Sequence, residues 1–181
     1  MTDAIDPRSA ANLIIDIRRY FENPVTHLEL QKLVYFCHEG YLRETGNPLV
    51  AGSFEAWDNG PVHPVLWGAF KHNGREKILL KAKALNLLSG DRKPIPRPPK
   101  ALQSHIFSTL GKLEGLDAWA LVELSHRKNG AWDKVYYQMG SKGSIIPNDL
   151  IRASIPLGDF RSGDGGNLAA FDYEDIPPYN D

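Results

Sequence analysis

Apolar positions recur at helical spacing through most of this chain, and the polar residues between them mark where helices start and stop. Leu13, Ile14, Ile17 and Phe21 follow a three-to-four-residue period. Asp6 followed by Pro7 predicts the start of that helix, with a capping carboxylate and proline at the first helical position, and Pro24 predicts its stop. Thr26 to Glu29 spells a capping box, in which Thr26 bonds the third amide and Glu29 reaches back. Leu30, Leu33, Val34, Cys37 and Tyr41 then form one continuous apolar stripe on a second helix. That helix should end near Gly46 in a left-handed cap.

The stretch FEAWDNGPVHPVLWGAF, residues 54–70, breaks the helical period. SFEAW alternates and is aromatic, as a short strand does; DNGP supplies turn chemistry; Pro64 can open a helix running to Gly74. Residues 76–89 fit either a helix or a hairpin arm. Residues 90–99, GDRKPIPRPP, read as an exposed, extended proline-rich connector. Two helices follow, in KALQSHIFSTLGKLEGL and in DAWALVELSHRKN, the second capped by Asp117. GAWDKVYYQMG reads as a short aromatic helix or loop, and IIPNDLIRASI as a last short helix. The pattern predicts a mainly α fold: a single compact helical domain over residues 1–157, with a small β element (short strand or hairpin) before the GPV turn. Residues 158–181 read as an acidic, flexible tail.

Composition narrows the function classes. The 181 residues are 42% hydrophobic and 24% charged, as in an ordinary globular protein. A net charge of -1 gives no global pull toward nucleic acid or anionic membrane. The charge is uneven, however: residues 71–100 hold nine basic residues against two acidic ones, a net +7. Residues 159–181 hold six acidic residues against one basic, a net -5. Cys37 is the only cysteine, so no intrachain disulfide can form, and a reducing cytoplasm is the expected home. The first twenty residues lack the basic-then-apolar order of a signal peptide, and no apolar run approaches the roughly 20 residues that span a bilayer.

Signatures of phosphate-binding loops, dinucleotide folds, nucleophile elbows and HExxH zinc sites do not occur. Cys37–His38 and Ser125–His126 are adjacent on helices, where neighbours point about 100° apart, so neither pair is a dyad by itself. His38, His63 and His126 could converge on a metal, and a metal-dependent hydrolase is the alternative reading; packing histidines are the simpler one. Cys37 lies on the apolar stripe and reads as a small hydrophobe. Trp67 and Trp119 fall inside helical patterns and are expected in the core, while Trp57 and Trp132 stay open between core and partner contact. The basic segment 71–100 reads as a solvated face. It lacks the aromatic interleaving of a nucleic-acid surface, so a DNA-binding regulator is the weaker alternative. Docking of the acidic tail on it is a third possibility.

Three separated blocks carry a resemblance. LELQKLVYFCHEGYLRETGNPLV, FEAWDNGPVHPVLWGAF and LVELSHRKNGAWDKV resemble the Panacea domain, the SocA-like antitoxin family. Its pattern is a KLQKLLYF-type helix, an EAWxxGPVxPxVY turn and an LSHxxxPW signature. Gln31, Lys32, Leu33, Tyr35 and Phe36 match the first; Trp57, Gly60, Pro61, Val62 and Pro64 the second; Leu124, Ser125, His126 and Trp132 the third. Trp67 stands where tyrosine is common and Ala131 where proline is usual. The resemblance covers about residues 10–155 and leaves out the proline-rich connector and the tail. It implies a cytoplasmic bacterial antitoxin, not an enzyme, that neutralises a cognate toxin by direct contact. In the SocA type it further implies an adaptor handing the toxin to the ClpXP protease, the toxin being one that stalls replication at the sliding clamp. It supplies no catalytic residue, metal or cofactor. Within it, Trp57, Gly60, Pro61, Pro64 and Trp67 are expected to form a rigid strand–turn–helix hallmark. Asp58, Asn59, His63, His126 and Trp132 are the expected partner contacts, with Phe171, Tyr173 and Tyr179 of the tail as a docking peptide.

Overall fold

The computed structural model describes residues 4–154 and 156. Helix α1 (Pro7–Tyr20) starts as its sequence predicts: the Asp6 carboxylate accepts from the Arg8 amide at 2.8 Å, and Pro7 occupies the first turn. Helix α2 (His27–Thr45) carries the complete capping box, with Thr26 Oγ1 accepting from the Glu29 amide and Glu29 Oε2 accepting from the Thr26 amide. It ends in Gly46 at φ 75°, a left-handed conformation that costs glycine nothing.

Helix α2 is the axis of the molecule, packed by α1 and α3 (Pro64–Phe70), α4 (Lys100–Lys112) and α5 (Ala118–Ser125), and by α7 (Asn148–Arg152). Every residue from Leu30 to Glu39 is buried, so the expected single stripe is a helix enclosed on all sides. An enclosed helix leaves its polar side chains no water, and each must find a partner inside. Gln31, Lys32, His38 and Glu39 all do so against other elements, as described below.

Strands β1 (Phe54–Trp57) and β2 (Gly60–Val62) pair antiparallel as a tight hairpin around Asp58 and Asn59. A third strand, β5 (Ile145–Ile146), returns from far along the chain to pair with the other edge of β1, giving the order β2-β1-β5. Helix α3 follows with Pro64 in its first turn and passes into a 3-10 turn over Lys71–Asn73 that ends at Gly74. The ambiguous stretch resolves as a second hairpin, β3 (Lys83–Leu85) and β4 (Arg92–Pro94), whose second arm falls inside the proline-rich connector. Pro94 is tolerated there because β4 is an edge strand. The aromatic stretch after Gly130 is α6 (Ala131–Asp133) continued by a π-helical turn over Lys134–Gln138. The fold is thus mainly α with small sheets. The acidic tail lies outside the described residues.

Candidate partner-binding surface

The strand–turn–helix of residues 54–70 is held from beneath by α2. Lys32, fully buried, donates to the Pro61 carbonyl at 2.9 Å. Gln31 accepts from the His63 amide at 2.8 Å and faces the His63 carbonyl with its own amide. From the other side Trp132 Nε1 donates to the Trp57 carbonyl at 2.8 Å. Gly60 sits where these meet, at φ 94°, and a Cβ added there would lie 2.4 Å from Ser125 Oγ and 3.0 Å from Lys32 Cε. Both the backbone conformation and the space demand glycine. Burial drives the Lys32 ammonium down to about 7, because the desolvated charge has one carbonyl and no carboxylate to face.

The structure redistributes the expected contact residues. Asp58 and Asn59 are exposed at the hairpin tip, and Asp58 Oδ1 accepts from Tyr136 Oη at 2.6 Å. His63 is not exposed: it is 1% accessible, its Nε2 lies 2.9 Å from the Ala51 carbonyl, and its ring packs edge-on against Phe54. The reason is local: the His63 backbone is held by Gln31 of α2 and its ring turns toward Ala51 and Phe54, while the tip points out. Trp132 is likewise in the core, at 0% exposure, its ring sandwiched by His126 at 3.6 Å and Tyr136 at 4.4 Å. His126 is partly buried by that stacking, and its Nε2 is buried without a hydrogen-bond partner. Burial, followed by the charge of Lys32, holds its imidazole down at about 4, so it is neutral at physiological pH. Phe171, Tyr173 and Tyr179 lie outside the described residues.

The tryptophans expected in the core are at the surface instead. Trp67 is 39% and Trp119 64% exposed. Each sits on a helix of eight residues or fewer, too short for periodicity to identify the buried face. Trp57, half-buried, packs on Trp67 with ring centroids 5.6 Å apart, and its Nε1 donates to Glu55 at 2.7 Å. Lys71 Nζ lies 4.4 Å over the Trp67 ring. These three tryptophans, with Asp58, Asn59 and Arg75, line an open groove of about 620 Å³. Its lining mixes these aromatic walls with polar side chains, among them Thr26, His27 and Gln31.

The remaining candidate chemistry is engaged in packing. His38 Nδ1 accepts from the Val50 amide at 3.3 Å, so Nε2 carries the proton and donates to Asn148 Oδ1 at 3.1 Å. Burial holds it at about 4, and the same cause pushes the Cys37 thiol up to about 12. Arg127 Nη2 donates to the buried Glu39 carboxylate at 2.6 Å. Among the described residues no group of three or more His, Cys, Asp or Glu is placed to hold a metal ion, and no helix is long and apolar enough to cross a membrane.

A family model described as the Antitoxin SocA-like, Panacea domain matches residues 30–133, a span that includes the proline-rich stretch expected to lie outside the resemblance. The chain is also 39% identical, over 137 residues, to the Antitoxin SocA of Caulobacter vibrioides (strain NA1000 / CB15N), an alignment covering 73% of this chain and 71% of that protein. No solved structure gives a significant match. The matched span takes in α2 from Leu30, the strand–turn–helix and Trp132, and the chain belongs to the SocA-like Panacea domain family of antitoxins.

Proposed function

We propose that this protein is an antitoxin that neutralises a cognate protein toxin by direct contact, without catalysis, and that the toxin seats in the tryptophan groove. The observation that carries the surface is the exposure of Trp67 and Trp119 beside the hairpin tip. Large aromatics left out of an otherwise well-filled core are the residues that dominate binding energy in protein interfaces. Asp58 and Asn59 supply polar contacts at the rim. Residues 1–157 then act as the toxin-binding domain. In the same reading the protein is an adaptor for ClpXP in the cytoplasm, and the tail 158–181, with Phe171, Tyr173 and Tyr179, is its second contact. An adaptor works by raising the effective concentration of its cargo at the protease, so it needs two separate surfaces.

Growth rescue and complex formation test the first part. Co-expression of the toxin with the wild-type chain should restore growth, and the double variant Trp67→Ala/Trp119→Ala should bind at least about tenfold more weakly while melting as the wild type does. Undiminished binding by that variant would remove the groove from the interface. For the adaptor step, the toxin half-life should shorten in the presence of this protein and active ClpXP. A half-life independent of either component would leave a simple inhibitor.

A further inference from the structure

A second groove, also of about 620 Å³, opens on a different part of the surface, between α3 and the β3–β4 hairpin. Five groups that are or can become cationic line it: Arg8, His72, Lys81, Lys83 and Arg92. No acidic residue lines it. Asp6 balances Arg8 at 2.7 Å and Asp16 lies 3.5 Å from Lys81, whereas exposed Lys83 and Arg92 have no carboxylate within ion-pair distance among the described residues. The register Leu85↔Arg92 places one arm's leucine beside the other's arginine. The walls are apolar: Phe70 closes the floor, while Leu80 and Leu85 stand 67% and 52% exposed at the lip. A basic groove with exposed leucines is poorly suited to water alone and well suited to an acidic segment bearing apolar side chains.

The chain carries such a segment. Residues 159–181 have a net charge of -5, and within them FDYEDI interleaves Phe171, Tyr173 and Ile176 with Asp172, Glu174 and Asp175. Fifteen residues lead from Pro156 to Phe171 and twenty to Ile176, enough to extend about 50–65 Å, while a domain of this size has a radius of gyration of about 15 Å. Every point of the surface is within reach. A tethered segment also needs little intrinsic affinity, since its effective concentration is on the order of millimolar. We propose that this acidic C-terminal segment is the occupant of the basic groove in the unpartnered protein. The inference rests on the second groove and the charge pattern, independently of the antitoxin reading. Any acidic partner recognising the hairpin, or any partner recognising the tail, must then compete with this contact.

Backbone NMR of the full-length chain tests it. In low salt the amides of Phe171–Ile176 should differ from random-coil positions, and should move to them both at high salt and in the variant Lys83→Glu/Arg92→Glu. Both substituted side chains are exposed, so the amide signals of the core should stay in place and certify folding. A synthetic peptide of residues 164–181 should bind a chain carrying Asp172→Asn/Glu174→Gln/Asp175→Asn, and about tenfold more weakly once Lys83→Glu/Arg92→Glu is added. Tail signals identical in the wild type and the groove variant at low salt would overturn the proposal. Signals that shift only with protein concentration would also overturn it, assigning the groove to the tail of a second copy.

Discussion

At the scale of single residues, the hairpin tip shows how one position can be constrained twice. Gly60 must take a positive φ, and it must also leave room for Ser125 and the Lys32 stem. Gly60→Ala should therefore cost about 2–4 kcal/mol in urea denaturation, more than backbone strain alone. A loss below about 0.5 kcal/mol would mean that the turn relaxes freely. Sequence could mark this glycine, since DNGP is turn chemistry, yet it could not reveal the second constraint, which comes from Ser125, 65 positions away. The same limit explains the histidine. His63 lies in a stretch whose tip is exposed, and only its contacts with Gln31, Ala51 and Phe54 fix that it turns inward.

Elements divide by how local their causes are. The starts of α1, α2 and α5 were legible because the capping side chain and the amide it serves are neighbours in sequence. Thr26→Ala removes one half of the box of α2 and should lower stability by about 1 kcal/mol, whereas Glu29→Gln, which can still reach back, should cost less. Equal losses in thermal unfolding would point to the Lys77–Glu29 pair at 3.1 Å as the larger contributor. The β3–β4 hairpin was only half legible, its first arm standing as one of two alternatives and its second read as extended connector, because exposed arms leave no hydrophobic alternation to record them. The surface positions of Trp67 and Trp119 were hidden for a related reason, each helix being too short to show two turns of its own pattern.

For the whole molecule, enclosing a polar helix makes stability depend on pH in a definite direction. His38 is held neutral, with a folded value of about 4 against 6.5 when unfolded, so its contribution is complete above 6.5 and lost as pH falls toward 4. That is about 3 kcal/mol over the interval, and His38→Gln, though less stable at neutral pH, should show a correspondingly shallower acid limb. Lys32 acts at the other end. Its folded value lies below the unfolded 10.5, so the unfolded state binds more protons and stability climbs as pH rises from 7, by at most about 1.4 kcal/mol per unit. Cys37, raised by burial, cancels that gain above about 9, where the unfolded thiol ionises first, and Tyr35, raised by the same cause, turns the balance downward above about 10. Stability should level off at about pH 9–10 in chemical denaturation, and Lys32→Met should flatten the rise toward it.

The strand that returns to β1 sets a clock on biosynthesis. Ile146 pairs with Phe54, Asn148 bonds His38, and Ser154 Oγ accepts from the Ala131 amide, so the first half of the chain waits for the last elements to be made. At about 5–20 residues per second, the 92 residues from Phe54 to Ile146 take roughly 5–20 s. Throughout that interval the nascent chain exposes an open sheet edge and an unfinished core. Each ribosome thus completes the sheet only after that delay, and a chain broken off before Ile145 would lack the strand that closes this edge of β1.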